Sequence, residues 1–148
     1  MTSHPFVHSH RITYAECTVG NHVYFARYLD VLEETRGELF RAAGLPLLEL
    51  HAADLLFPVV ACQIRYRHPA RYDDLVTIDA WVSAISPARL RLSYRMCAAA
   101  GQAIVDAEID HVCTSTAEKI KRLPPVVVQK LAPYTLAAPS GAPSAAKK

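Results

Sequence analysis

One long amphipathic segment constrains the fold of this chain more than any other stretch. From about Tyr24 to Gly44, apolar residues recur at helical spacing, and acidic and basic residues fill much of the remaining surface. Gly44 followed by Pro46 is typical of a helix end. The pattern predicts a helix of about 20 residues with one face packed against an apolar layer. The apolar positions are Phe25, Tyr28, Leu29, Leu32, Leu39 and Phe40.

Strand patterns flank the predicted helix. Residues 6–14 form the first, and the turn residues Gly20 and Asn21 separate it from the helix. Four segments of alternating apolar residues follow, and short turns join the last three into an antiparallel meander. The order predicts an α+β fold, in which a five-stranded antiparallel sheet wraps around one long helix. The later strands are predicted at 59–68, 75–85, 90–98 and 103–114, with inward faces that carry Val60, Cys62, Ile64 and Tyr66; Val76, Ile78, Ala80 and Val82; Leu90, Leu92, Tyr94 and Met96; and Val105, Ala107, Ile109, His111 and Cys113.

Length and composition indicate one folded domain. With 148 residues, 51% of them hydrophobic, the chain can bury a core without disulfides or metal ions. We predict a single domain over residues 1–136, with a short extra turn within 45–56 and a short helix at 126–131. The segment 137–148 consists mainly of Ala, Pro, Ser and Lys, and we expect it to be disordered.

Charge and cysteine usage exclude several classes of protein. The 16 basic and 14 acidic residues nearly balance, so bulk charge does not indicate a nucleic-acid partner. The four cysteines show no Cys-x-x-Cys pairing, and the chain has neither a secretory signal nor an apolar run of about 18 residues. We therefore expect a cytoplasmic protein without a membrane span. We interpret His4, His8 and His10 as incidental rather than as metal ligands, and we expect no metal or cofactor.

The loop before the long helix is the candidate site. It brings Glu16, Thr18, Asn21 and His22 close to the helix N-terminus, where unpaired backbone N–H groups and the positive end of the helix dipole favour an anion or a polarised carbonyl. Each side chain also has an ordinary structural role, since Thr in a turn bonds its own backbone and Asn or His can cap a helix.

Three groups of residues between about 11 and 125 resemble a known family. The first comprises Tyr-Ala-Glu-Cys at 14–17, Val-Tyr-Phe-Ala-Arg-Tyr-Leu at 23–29 and Glu-Glu-Thr-Arg at 33–36. The second is Tyr-Arg-His-Pro-Ala-Arg-Tyr-Asp-Asp-Leu at 66–75, and the third is Lys-x-x-Arg-Leu-Pro at 119–124. In this order they resemble hotdog-fold acyl-CoA thioesterases of the 4-hydroxybenzoyl-CoA thioesterase type. The resemblance implies a homodimer with sheets joined edge to edge, often a dimer of dimers, and active sites at the dimer interface.

The chain departs from that family at one site position. Where the family has a carboxylate that acts as nucleophile or base, this chain has Thr18, whose hydroxyl is not ionised at pH 7. The variation is similar to that of thioesterases associated with enediyne polyketide synthases. That resemblance implies that a polar group at Thr18, the helix N-terminus, a tyrosine and Arg36 position water and stabilise the oxyanion. We expect the backbone N–H of Tyr24 to donate to the thioester carbonyl. The candidate bases are Glu16 and His22, and the alternative is hydrolysis driven by oxyanion stabilisation without a side-chain base.

The predicted substrate contacts fall into two sets. Aromatic and apolar side chains would line the acyl pocket, and basic side chains would bind coenzyme A phosphates or an acidic acyl carrier protein. The first set is Tyr24, Tyr28, Phe57, Val59 and Tyr66, and the second is Arg89, Arg91 and Lys119.

The predicted activity is hydrolysis of an acyl thioester. The alternative is a hotdog module that binds acyl thioesters without catalysis. A hydratase is less favoured because the loop lacks an Asp-x-x-x-x-His arrangement.

Overall fold

The computed structural model describes residues 2–136. The predicted order of one strand, one long helix and four further strands is confirmed. Two short helices and two 3-10 turns, Tyr14–Glu16 and Ala132–Tyr134, complete the chain. The helices are α1 (Arg27–Ala42), α2 (Leu47–Ala52) and α3 (Pro125–Leu131); the strands are β1 (Phe6–Arg11), β2 (Val59–Tyr66), β3 (Leu75–Ile85), β4 (Arg89–Ala98) and β5 (Ala103–Val112).

The five strands form one antiparallel sheet in the order β1-β3-β4-β5-β2. Helix α1 packs mainly against β1 and β3 on one face of this sheet. The two sheet edges are β1, which α1 partly covers, and β2, which α1 contacts only at the Tyr66 end. This arrangement is the predicted α+β fold.

Period-two alternation places the core, as the sequence predicted. The predicted inward residues of β3 and β4 are nearly inaccessible, and so are those of β5 with Cys113 just beyond it. From α1, Leu32, Leu39 and Phe40 fill the space above the sheet. The predicted short helices also form, α2 inside 45–56 and α3 one residue before the predicted start.

Strand β2 contradicts the prediction of a half-buried strand. Both of its faces are exposed, and of the predicted inward residues only Ile64 packs against the core. Val60 and Tyr66 remain 48% and 45% accessible. The physical reason is that β2 is an edge strand that α1 touches only near Tyr66, through the ring of Tyr28, so alternation alone could not tell whether anything in this chain covers it.

Two element boundaries near the loop also differ from the prediction. Strand β1 stops at Arg11 rather than at residue 14, because Thr13 and Glu16 form a capping box around the 3-10 turn. Helix α1 begins at Arg27 instead of about Tyr24, so Phe25 lies outside the helix and is exposed. The predicted disordered segment 137–148 lies outside the described residues. No helix among residues 2–136 is long and apolar enough to cross a membrane.

Candidate active site

The candidate loop is a tight, exposed turn between β1 and α1. Cys17 pairs with Val23 in an isolated β-bridge, and the Thr18 N–H donates to the His22 carbonyl at 2.7 Å. The Asn21 N–H donates to the Thr18 carbonyl at 3.0 Å, and Asn21 has a left-handed backbone with φ of 57°. Asparagine tolerates this conformation better than most residues, which explains why the turn closes here. The side chains of Thr18 and His22 are thereby presented to solvent.

The helix N-terminus is uncapped by side chains. Ala26 is the N-cap of α1 and has no side-chain cap, so neither Asn21 nor His22 fills that role. The Asn21 Oδ1 instead accepts a hydrogen bond from the Tyr72 N–H at 3.1 Å, which ties the turn to the segment before β3.

The predicted role of the Tyr24 N–H is wrong. This group donates to the Glu16 carbonyl at 2.9 Å, because Glu16 and Tyr24 face each other across the closed turn. The N–H groups of Phe25 and Ala26 donate to no backbone acceptor in the described residues. They, rather than Tyr24, are the unused donors at the start of the helix.

Glu16 is held by three neighbouring groups. Its carboxylate accepts hydrogen bonds from the Thr13 N–H at 2.7 Å, the Thr13 hydroxyl at 2.9 Å and His10 Nε2 at 3.0 Å. Neither Arg11 nor Arg36 pairs with this carboxylate, since Arg11 lies beside Asp73 and Arg36 donates to Glu33. Burial by itself would raise the pKa of Glu16, but these hydrogen bonds outweigh it and lower the pKa from 4.5. A lowered pKa makes Glu16 a weaker base.

Arg36 lies on α1 away from the loop. Its guanidinium donates to Glu33 one turn earlier and sits 6.0 Å from the ring centre of Phe40. Its side chain is only 12% exposed. It comes nine residues after Arg27, or about 14 Å along the helix axis. One chain therefore does not bring Arg36 to Thr18.

A cavity of about 300 Å³ adjoins Arg36. Apart from the guanidinium its lining is apolar, contributed by α2 and the segment that leads into β2. The residues around it are Arg36, Leu47, Leu50, Leu55, Leu56, Phe57 and Pro58. It can accept an apolar group.

The structure divides the predicted acyl-pocket residues between two places. Phe57 lines the cavity beside Arg36, whereas Tyr66 contacts the start of α1 and donates its hydroxyl to the Phe25 carbonyl at 3.1 Å. Val59 and Tyr66 occupy opposite ends of β2, about 23 Å apart at the rise of a strand. Tyr28 is a buried core residue whose hydroxyl accepts the Ala70 N–H. A single pocket within one chain is therefore contradicted.

The three basic residues predicted to bind phosphates differ in availability. Arg91 is engaged, since it pairs with Asp110 at 2.7 Å and approaches Glu108 at 3.7 Å. Arg89 and Lys119 are exposed and form no ion pair within residues 2–136. Only these two keep their cationic groups free for a phosphate or an acidic protein surface.

The sequence interpretation missed the contacts of three histidines. His8 and His10 are not incidental, because they bond to Glu34 of α1. Their period-two spacing with Phe6 on β1 was the available signal for a face that meets the helix. His111 was predicted to be buried, but the sequence did not show that its Nε2 is left without a hydrogen-bond partner. No group of three His, Cys, Asp or Glu side chains in residues 2–136 can hold a metal ion.

A five-stranded antiparallel sheet around one long helix, with a polar loop at the helix start, defines the hotdog class of acyl-thioester enzymes. A family model described as Thioesterase-like superfamily matches residues 12–131. The chain belongs to this family, which confirms the resemblance inferred from its motifs.

Individual relatives agree with the family. The acyl-CoA thioester hydrolase YbgC of Escherichia coli O157:H7 is 28% identical over 119 residues, which cover 80% of this chain and 89% of that protein. The long-chain acyl-CoA thioesterase FadM of Escherichia coli K12 is 35% identical over 97 residues, or 64% of this chain and 72% of that protein. Thioester hydrolysis is thus the class of reaction among these relatives.

The dynemicin thioesterase has a similar structure. It superimposes with a TM-score of 0.81 over 90% of this chain and 99% of its own, at 19% sequence identity. At that identity the likeness concerns the fold. The predicted similarity of the site to enediyne thioesterases remains a prediction.

Proposed function

We propose that this protein hydrolyses acyl thioesters, carried by coenzyme A or by an acyl carrier protein, to a free acid and a thiol. The observation that carries the proposal is the closed turn of residues 18–22 in front of α1, with the unused N–H groups of Phe25 and Ala26 beside it. These groups can donate to the thioester carbonyl and stabilise the negative oxygen that forms on attack. One such donor contributes about 2.7 to 4 kcal/mol in well-studied enzymes.

The proposed reaction uses water as the nucleophile. Thr18 orients the water through its hydroxyl, and His22, exposed in the same turn, accepts the proton. The water oxygen attacks the carbonyl carbon, the tetrahedral oxyanion collapses, and the carbon–sulfur bond breaks to release a thiolate. The proton then leaves with the thiol. Glu16 is the less suitable base because Thr13 and His10 hold its carboxylate in the ionised, weakly basic form.

We further propose a homodimer that completes the site. Strand β2 is an open sheet edge with exposed Val59 and Val60, and unpaired edges favour pairing with another strand. Antiparallel pairing of β2 with its copy puts the Val59 end of one strand beside the Tyr66 end of the other. That brings the cavity beside Arg36 in one subunit toward the loop of its partner.

In this dimer the acyl group enters the cavity of one subunit while the thioester carbonyl lies at the loop of the other. The apolar lining favours a bulky acyl group, and the ion pair of Arg36 with Glu33 borders it. Arg89 and Lys119, both exposed, are the proposed contacts for coenzyme A phosphates or a carrier protein. Pairing of two dimers into a tetramer was predicted from the family resemblance and remains a prediction.

We also propose that the protein works in the cytoplasm. Its four cysteines are free thiols in the structure, as expected in a reducing compartment. The thiol that the proposed reaction releases, from coenzyme A or an acyl carrier protein, also stays reduced in that compartment.

The deciding experiment measures thiol release from a panel of aliphatic and aromatic acyl-CoAs and acyl carrier proteins. A thiol-reactive dye reports the product, and a protein-only blank subtracts the four cysteines of the chain. We expect turnover of at least one thioester, with Arg89→Ala and Lys119→Ala raising KM for the carrier that is used.

The alternative function is supported by the replacement of the family carboxylate with Thr18. A non-catalytic module would bind acyl-CoA, measured by calorimetry, and release no thiol above the uncatalysed rate. That pair of results would reject the hydrolase and support the binding module.

A further inference from the structure

A cluster of two histidines and two carboxylates joins three elements next to the candidate loop. His8 Nε2 and His10 Nδ1, both on β1, lie 2.7 Å and 2.9 Å from the same oxygen of Glu34 on α1. His10 Nε2 lies 3.0 Å from both carboxylate oxygens of Glu16 in the 3-10 turn. The His10 and Glu16 side chains are only 15% and 13% exposed. None of these contacts belongs to the hydrolytic steps proposed above.

The geometry sets the protonation state of His10. An ionised carboxylate only accepts hydrogen bonds, so a ring nitrogen can bond to it only by donating. His10 has a carboxylate at each nitrogen, and both bonds form only when the ring is an imidazolium. A neutral ring would turn one lone pair toward a carboxylate, which is repulsive.

The surrounding charges favour the imidazolium. Burial lowers the pKa of His10, but the hydrogen bonds and charges of Glu16 and Glu34 outweigh burial and raise it above 6.5. His8 is the other titratable group on β1 in this cluster. From β3, the residues paired with His10 and His8 are Val76 and Ile78, which carry no charge.

Glu16 connects this cluster to the loop. Its carboxylate holds the 3-10 turn through Thr13, and its carbonyl accepts the Tyr24 N–H. The next residues form the bridge from Cys17 to Val23 and the bond from Thr18 to His22. The placement of Glu16 therefore sets both the frame that presents Thr18 and the backbone that leads into α1.

We infer that His10 is a positioning residue that, as an imidazolium, ties Glu16 of the turn to Glu34 of α1 and thereby holds the loop that carries Thr18. The inference rests on the proposed function for its effect on turnover. Loss of the ring proton with rising pH breaks one of the two ties. The loop is then released from α1 on one side, and hydrolysis falls on the alkaline side of the profile.

The first test uses the wild-type protein and does not depend on activity. Nitrogen NMR of the histidine rings across pH reports the protonation of His10, and backbone amide shifts report the loop. We expect both His10 nitrogens to be protonated at pH 6.5, with the transition above that pH. The amide shifts of Thr18 and Tyr24 should follow the same transition. A His10 ring that is already neutral at pH 6.5, or a ring that titrates while those amides do not respond, overturns the inference.

The second test compares His10→Gln with His8→Gln, a matched control that contacts Glu34 but not Glu16. We expect His10→Gln to lower kcat by about 10- to 100-fold, as for a misplaced reacting group, and to abolish the alkaline limb of kcat/KM. His8→Gln should keep that limb. Equal profiles in wild type and His10→Gln overturn the positioning role. If the wild type hydrolyses no thioester, the proposed function fails, and the NMR titration still decides the role of His10.

Discussion

At the scale of single residues, the main question is how the Thr18 hydroxyl contributes to hydrolysis. A threonine hydroxyl cannot replace an ionised carboxylate as a base, yet it can orient water and bond to an oxyanion. Its backbone is held by His22 and Asn21, so the side chain is presented from a defined turn. Its contribution is therefore expected in the transition state rather than in substrate binding.

Thr18→Ala is expected to lower kcat by roughly 10- to 1000-fold and to leave KM nearly unchanged, because the interaction is made in the transition state. Thr18→Asp supplies a carboxylate base and should exceed the rate of Thr18→Ala. Val19→Ala is the control, since Val19 is fully exposed in the same turn. Steady-state kinetics of thiol release measure all three.

Three variants of the loop can show that it is not the active site. If Thr18→Ala, His22→Ala and Glu16→Gln all keep wild-type turnover, the loop is not the active site. The thioesterase proposal would then rest on the family likeness alone.

At the scale of elements, the buried side chain of His111 joins β5 to the segment that leads into β2. His111 of β5 lies next to the entry of β2, and its Nδ1 bonds to the Phe57 carbonyl at 2.9 Å. That bond joins the edge strand to the interior of the sheet. Nε2 has no partner in the described residues, so the buried ring is a neutral donor through Nδ1.

This arrangement makes folding stability sensitive to mild acid. Burial lowers the pKa of His111 below 6.5, so between that value and the folded pKa the unfolded chain binds more protons. The contribution is present above pH 6.5 and is lost as the pH falls, with a slope of at most about 1.4 kcal/mol per pH unit. His111→Gln should flatten the pH dependence of the urea-unfolding free energy just below pH 6.5. An unchanged slope would contradict the neutral buried ring.

His10 has the opposite effect on stability. Its stabilising contribution is complete below pH 6.5 and is lost as the pH rises through its raised pKa.

At the scale of the whole molecule, we propose that one chain is an incomplete enzyme. The loop with Thr18 lies before the start of α1, the cavity lies beside Arg36 and α2, and the open β2 edge is where the proposed partner would join them. Exposed apolar residues on β2 favour association of that edge with another surface. Function and assembly are therefore coupled in the proposed site.

Light scattering of the wild type at micromolar concentration should give at least twice the mass of one chain. Val60→Lys puts a charge on the open β2 edge and is expected to shift the protein toward monomer and to reduce turnover. Val126→Lys is the matched control, since Val126 is similarly exposed on α3, away from β2. A monomeric wild type, or a monomeric Val60→Lys protein with full activity, would contradict the shared site.

Short-range patterns in the sequence determined the element order, the inward faces of β3, β4 and β5 and the location of the loop. Alternation of period two and helical spacing are local properties that any fold must respect. The family motifs added the class of enzyme, and the family match confirmed it. The spacing of Thr13 and Glu16 is also typical of a capping box, which is a local signal for the end of β1.

Only the tertiary structure decided which groups meet. The sequence could not show that Tyr24 donates to Glu16, that His10 is clamped between Glu16 and Glu34, or that Phe57 and Tyr66 lie far apart. These contacts depend on how strands are ordered in the sheet and on which strands the helix covers. An edge strand and a central strand share the same alternating pattern, so burial of β2 follows from its neighbours in space and not from its own residues.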